Sequence, residues 1–125
     1  MPVLIDTSFL LFLAESGRNI LQLIEEKLGE PVVPMVPDSV IGELKRLSAR
    51  GGKRGRLAEL ALSMAERMMR IESSQEVEAD EELIRLASKT GYAVVTTDSA
   101  LQKRLRKQGL KCIYVNKRLQ VHILA

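Results

Sequence analysis

Val3-Leu4-Ile5-Asp6-Thr7-Ser8 is the stretch on which the reading of this 125-residue chain turns. Three apolar residues in a row, without the alternation of a half-exposed strand, read as a strand buried on both faces, as a parallel sheet requires. The run ends abruptly in an acid. Ligands of open parallel sheets bind at the carboxyl ends of the strands, so Asp6 is placed at the rim of the core, in a crevice. A simpler role for the same residue is to cap the helix that Thr7 and Ser8 begin. The rest of the chain has to separate the two.

Composition sets the bounds. The length suits one domain, residues 1–125, with a real core. The apolar fraction is 46% but aromatics are 3% and Trp is absent, so the core is built from Leu, Ile, Val, Ala and Met. The apolar run near the N-terminus is interrupted by Asp6 and has no basic region before it, so a secretory signal is not expected. No stretch approaches the ~20 apolar residues of a membrane span, and no membrane partner is expected. The single cysteine, Cys112, excludes an internal disulfide and fits a reducing cytoplasm. It lies in Cys112-Ile113-Tyr114-Val115 and reads as core. One His and one Cys argue against zinc, which takes several N or S ligands; a metal here would be a hard, oxygen-bound one.

The net charge of +3 permits a nucleic-acid partner without demanding one. Its distribution is more informative. Lys45, Arg46, Arg50, Lys53, Arg54 and Arg56 form one basic block, Lys103, Arg104, Arg106 and Lys107 a second, and Lys117-Arg118 a third. The acids concentrate between Glu72 and Glu82. Any one basic run is ordinarily a solvated helix face.

Taken in order, the chain alternates strands and helices. A short helix over Phe9 to Ala14 breaks at Ser16-Gly17. Asn19 caps a second helix, ended by Gly29-Glu30-Pro31. Val32 to Val36 is a short strand whose Pro34 argues for an edge position or a strand end. Asp38 is the expected cap of a third helix running to Ala49. Arg50 to Lys53 is a flexible basic loop. From Gly55 a fourth helix turns Leu57, Leu60, Ala61, Met64 and Met68 inward, a Met stripe that reads as core. Met69 to Glu72 is a weak third strand and Ser73 to Glu78 a polar loop. A helix opened by Asp80 and closed by Gly91 leads to a strong fourth strand, Tyr92 to Thr96. Thr97-Asp98-Ser99 caps a further helix. Lys111 to Val115 is the fifth strand, and Leu119 to Leu124 adds a weak terminal one. Short loops between alternating elements predict an α/β fold with a central five-stranded parallel sheet and helices on both faces. With no GxGxxG and no GxxxxGK[ST], dinucleotide and P-loop readings lose their main support.

The acids can then be located. Asp6 ends the first strand, and Asp98 follows the fourth at the same carboxyl edge. Glu43 lies three residues after Val40 and four before Leu47, on the border of its helix's buried face. Asp80 starts the helix leading into the fourth strand, which would place it at the opposite edge but for its loop; the pattern leaves that open. Each acid alone can be a helix cap or a surface charge. Together, four carboxylates with no cationic neighbour in sequence point to a divalent cation, because like charges packed together raise one another's pKa and a bound ion removes that penalty.

Leu4-Ile5-Asp6-Thr7-Ser8, Val36-Pro37-Asp38-Ser39-Val40-Ile41-Gly42-Glu43-Leu44, Ala79-Asp80-Glu81-Glu82-Leu83-Ile84-Arg85-Leu86-Ala87 and Val94-Val95-Thr96-Thr97-Asp98, in that order and spacing, resemble the PIN-domain family of ribonucleases. The basic Gly51-Gly52 loop and the Ile113-Tyr114-Val115 ending look most like compact archaeal PIN proteins related to ribosomal-RNA-processing nucleases, with the toxin nucleases of toxin–antitoxin pairs as the nearby alternative. The resemblance implies a three-layer α/β/α PIN-like fold and a metal-dependent endoribonuclease. Its catalytic and metal-holding acids carry over to Asp6, Glu43, Asp80 and Asp98, its supporting polar positions to Thr7, Ser8 and Thr96, and its cofactor to Mg²⁺ or Mn²⁺. Asp80 departs from the pattern in being followed by Glu81 and Glu82, so the third acid is not fixed. In the family the helix before the fourth strand packs against the site, which would bring Asp80 close. Cleavage of this kind leaves a 5′-phosphate and a 3′-hydroxyl. RNA is the implied partner, its backbone held by Lys45, Arg46, Arg50, Lys53, Arg54 and Arg56. The resemblance also allows a homodimer and an antitoxin or ribosome-assembly partner. Few aromatics predict little base stacking.

Two other classes compete. A PIN-like domain can be a non-catalytic RNA-binding or assembly scaffold whose acids no longer turn over. A receiver-like phosphoacceptor domain also clusters Asp residues, but it needs a Lys after the fifth strand, where Asn116 follows Val115.

Overall fold

A computed structural model describes residues 1–124. The elements run β1 (Pro2–Ile5), α1 (Thr7–Ser16), α2 (Ile20–Leu28), β2 (Val33–Pro37), α3 (Asp38–Ala49), α4 (Gly52–Ala65), β3 (Met69–Ile71), α5 (Ala79–Thr90), β4 (Ala93–Thr96), α6 (Ser99–Lys107), β5 (Cys112–Val115) and β6 (Val121–Leu124). The six strands found among the described residues form one sheet in the order β3-β2-β1-β4-β5-β6. The first five are parallel, as expected; β6 adds an antiparallel edge by folding back on β5 through a short turn. With the right-handed crossovers that parallel strands take, this strand order places α1 to α4 on one face and α5 and α6 on the other. Among the described residues no helix is long and apolar enough to cross a membrane.

The continuous apolar strands are buried as read. Val3, Leu4, Ile5, Val94 and Val95 are each 0% exposed, and Cys112 is buried beside them. The strand order reverses between β1 and β4: the chain moves one way from β1 to β2 and β3, then returns to pair β4 on the other side of β1. That reversal opens a crevice at the carboxyl ends of β1 and β4, where open α/β sheets bind ligands.

Several local expectations are corrected. Of the two readings of Pro34, the strand end holds and the edge does not: it is the second residue of β2, which lies between β1 and β3. The Val33 N–H donates to Met1 O on the β1 side, so one residue on, the missing N–H of Pro34 faces the β3 side. There β3 begins only opposite Met35, and no ladder bond is lost. Asp38 is the first residue of α3, not its cap; Pro37 precedes the helix, and the Asp38 carboxylate accepts from Arg70 Nε at 2.5 Å and from the Ser73 N–H at 3.3 Å. The basic loop shrinks to Arg50 and Gly51, with Gly51 at φ 71 turning α3 directly into α4.

The inward face of α4 differs in part. Ala61 is buried and Leu57, Met64 and Met68 pack against the core as expected, but the other fully packed positions are Gly55, Ala58 and Ala65, and Leu60 is 48% exposed. Small residues at spacings of three and four let α4 approach α3 and α1 closely. A Cβ built at Gly55 would lie 3.2 Å from the carbonyl oxygens of both Leu47 and Ser48 on α3. A branched side chain there has to drive the helices apart, so Gly55→Val is expected to lose roughly 1–3 kcal/mol, read as a fall in melting temperature of roughly 4 °C per kcal/mol. Leu60→Ala, outside the packed face, is expected to lose under about 1 kcal/mol. The reverse ranking in thermal melts would show that the large stripe, not the small one, carries the packing.

Candidate metal centre

Asp6 leaves β1 where the strand's last backbone bond, Asp6 N–H to Val95 O at 3.2 Å, ties it to β4. Its side chain is 3% exposed. Oδ1 accepts from the Phe9 N–H at 2.8 Å, capping α1. Oδ2 accepts from the Thr96 hydroxyl at 2.5 Å, and the Ser8 hydroxyl reaches both oxygens at 3.0 and 2.9 Å. Capping and crevice placement are therefore properties of one carboxylate. The supporting positions knit the two strand ends: Ser8 Oγ accepts from the Thr97 N–H at 3.2 Å, and the fully buried Thr96 Oγ1 accepts from the Asp98 N–H at 3.0 Å.

Asp98 caps α6, its Oδ1 accepting from the Ala100 and Leu101 N–H groups at 2.8 and 3.3 Å. Glu43 is half-buried on α3. Asp80 stands in the first turn of α5. A helix crossing back from β3 to β4 runs antiparallel to the strands, so its N-terminus is at the carboxyl edge and no special loop is needed to bring Asp80 there. All four acids, with Thr7, Ser8, Leu11, Leu47, Arg54 and Glu78, line one cleft of about 250 Å³. The Thr7 hydroxyl is buried and has no hydrogen-bond partner among the described residues.

The neighbouring acids point elsewhere. Glu81 pairs with Arg104. Glu82 is 0% exposed; its carboxylate accepts from Arg85 Nε at 2.6 Å, Arg85 Nη2 at 3.0 Å and the Ser74 N–H. The Arg85 guanidinium first, with the Ser74 N–H adding to it, holds the Glu82 carboxyl below its ordinary pKa despite burial. This pair pins the loop before α5, which Ser73 also anchors by accepting from the Ser39 N–H at 2.9 Å. Glu78, read only as the end of a polar loop, lines the cleft; its one signal was its position two residues before Asp80.

The electrostatics are unbalanced. None of Asp6, Glu43, Asp80 and Asp98 forms a salt bridge among the described residues. Burial raises the Asp6 pKa to about 7, against the lowering effect of its donors from Thr96, Phe9 and Ser8, and the Asp80 charge adds to the rise. Asp80 is also raised, first by burial and then by the charges of Asp98, Glu78 and Glu43. The Arg104 charge pulls the Asp80 pKa the other way without cancelling the rise. Of the six expected RNA-contacting cations, Arg54 alone among the described residues lines the cleft. Lys45 lines a separate depression with Arg70 between α3, α4 and the β2–β3 edge; Arg46, Arg50, Lys53 and Arg56 are exposed.

The donor set fits a divalent cation in chemistry. It is made of carboxylate and hydroxyl oxygens, which suit Mg²⁺ or Mn²⁺ and not a thiolate- or imidazole-seeking metal. Among the described residues no three acids stand close enough together to ligate one ion as they are. A ligand shell drawn from this cleft would require side-chain rotation of Glu43, Asp80 or Asp98.

Comparison with known proteins supplies context. A family model described as a PIN-like domain matches residues 3–118. The structure titled as the PIN domain endonuclease Utp24 is 26% identical, covers 98% of this chain and 90% of its own, and superposes with a TM-score of 0.76. A domain of a functionally unknown protein from Methanocaldococcus jannaschii DSM 2661 is 19% identical, covers 92% of this chain and 91% of its own at a TM-score of 0.68, and shows the shared fold alone. No curated protein sequence matches the chain.

The Asp6 shift predicts how stability depends on pH. The folded state keeps this proton up to about pH 7, while the unfolded carboxyl releases it near 3.8. Between those values folding takes up a proton, so stability falls as pH rises through the window and the loss is complete above it. Asp6→Asn keeps the cap and carries no charge at any pH. In EDTA, its melting temperature is expected to exceed that of the wild type by several degrees at pH 8, a gain on the order of a few kcal/mol, and to converge with it near pH 4. A variant less stable than the wild type at pH 8 would show that the charge serves folding.

Proposed function

The chain belongs to the family of PIN-like domains, and from that premise we propose that it is an endoribonuclease dependent on Mg²⁺ or Mn²⁺, with Asp6, Glu43, Asp80 and Asp98 as its metal-holding acids. PIN domains are generally nucleases that use divalent metals and act on RNA. One observation carries the reading for this chain: four carboxylates from four separate elements line one cleft at the strand-order reversal, and none of them forms a salt bridge among the described residues. A group needed only for capping could be neutral, and a buried charge without compensation lowers stability.

The bound ion would supply water activation and charge stabilisation on the scissile phosphate. The chain's own groups supply the rest. Asp6 is the fixed member, its orientation set by Thr96, Ser8 and the Phe9 N–H. Asp80, Asp98 and Glu43 are the adjustable members, drawn from helix starts and a helix face. Glu78 is a fifth acid within the same cleft. Arg54 at the rim draws the RNA phosphate toward a cleft whose acids would otherwise repel it, and Thr7 offers an uncommitted hydroxyl. No side-chain nucleophile is required. Ribosomal-RNA processing and a toxin–antitoxin pair would use the same chemistry, and the likeness to a PIN domain endonuclease fits both.

The scaffold reading draws on the open spacing of the acids. The two separate in an RNA cleavage assay paired with Mn²⁺ calorimetry. The nuclease reading expects Mn²⁺ binding, cleavage abolished by EDTA, and a loss of roughly 100-fold or more for Asp6→Asn with the fold intact by circular dichroism. Salt-sensitive RNA binding without any metal-dependent cleavage would establish the scaffold instead, and cleavage undiminished both by Asp6→Asn and by EDTA would overturn the metal mechanism.

A further inference from the structure

A second trough opens beside the acidic cleft. Ser8, Leu11 and Arg54 line both, so the two are continuous across the start of α1. The second encloses about 230 Å³ and is walled further by Phe12 on α1, Thr97 after β4 and Lys117 in the β5–β6 turn. Its chemistry is the reverse of the cleft's. Two cations, Arg54 and Lys117, face one acid, Glu15, and neither cation forms an ion pair among the described residues.

Lys117 is presented on a rigid turn. Asn116 Oδ1 accepts from the Arg118 and Gln120 N–H groups, both at 3.0 Å, and the Asn116 N–H donates to Gln120 O at 3.2 Å. The aromatic ring is equally distinctive in a chain with two Phe residues. Phe9 is fully buried, whereas Phe12 is only partly covered and lies on the trough.

We infer that this trough holds the nucleotide adjoining the scissile phosphate of a single-stranded RNA, an assignment that rests on the cleft being the nuclease site. Arg54 and Lys117 grip the phosphate, and the Phe12 ring packs against the base. Aromatic packing requires an unstacked base, which a duplex does not offer. The sparse aromatic content predicted little stacking; the trough concentrates what there is at the one place where it selects single strands.

The test is fluorescence anisotropy in EDTA, where no turnover occurs, with a labelled single-stranded oligoribonucleotide and a duplex of the same sequence. The proteins are wild type, Lys117→Ala, Phe12→Ala and Phe12→Leu, the last preserving apolar packing with the core. Lys117→Ala is expected to weaken binding of every sequence and to reduce the slope of log affinity against log salt by about 1. Both Phe12 variants are expected to weaken single-strand binding by roughly 5- to 100-fold and to leave duplex binding unchanged. Wild-type affinity and salt slope in Lys117→Ala and Phe12→Leu, with wild type still binding RNA and cleaving it in Mn²⁺, would overturn the trough and leave the nuclease reading standing. Absence of both binding and cleavage in the wild type would overturn both.

Discussion

Everything at the functional edge depends on one buried carboxylate. Asp6 joins β1 to α1 through the Phe9 N–H and to β4 through the Thr96 hydroxyl, and Ser8 bridges it onward to the Thr97 backbone. These donors lower its pKa, yet burial outweighs them and leaves it near 7. A folding role needs the hydrogen-bond acceptors; it does not need the charge. Asn would cap α1 with similar geometry and without the desolvation cost of a charge. The charge that Asp6 carries above about pH 7 is the part that folding does not account for, and the proposed ion would offset its cost.

The distribution of cations around the remaining acids supports the same distinction. Asp38, Glu81 and Glu82 are each matched by an arginine: Arg70, Arg104 and Arg85. In each case the pair does structural work, tying β3 to α3, α6 to α5, or the loop before α5 to its own helix. The four cleft acids form no such pair among the described residues: Arg54 shares their cleft without bridging to any of them, and Arg104, committed to Glu81, acts on Asp80 only through its charge. A chain with more basic than acidic residues could neutralise them, so their isolation is a property of where the folded elements place charge and not of composition.

How much of this was legible in sequence follows from the range of each determinant. The strand Val3 to Ile5 and its terminal acid are local signals, and burial on both faces followed directly. Pro34 left edge and strand end both open because the rule against proline in a central strand concerns a bond lost to a neighbour, and the neighbour's length is set thirty-odd residues away by where β3 begins. The α4 stripe misplaced Leu60 because size was read as burial; the close approach of α3 and α1 admits Gly55 and Ala58 beside Ala61 and leaves Leu60 outside. Asp80 was ambiguous only while the direction of its helix was ignored. The charges that separate Asp80 from Glu81 and Glu82 come from Arg104 and Arg85, and of these only Arg85, at i+3 from Glu82, could have been read from spacing.

The close packing of α3 on α4 then acquires a consequence beyond stability. Because Gly55 brings the two helices together, Glu43 on one and Arg54 on the other reach the same cleft. An acidic cleft of this kind repels the polyanion it is proposed to cut, so a phosphate must be drawn in by a cation at the rim and its repulsion removed by the ion within. Arg54 stands where the acidic cleft meets the basic trough, belonging to both. Charge changes sign across that one side chain. An RNA strand lying over it would meet attraction on the flank and, until an ion is bound, repulsion at the centre, so the flank can hold the strand before the centre is ready to receive the phosphate.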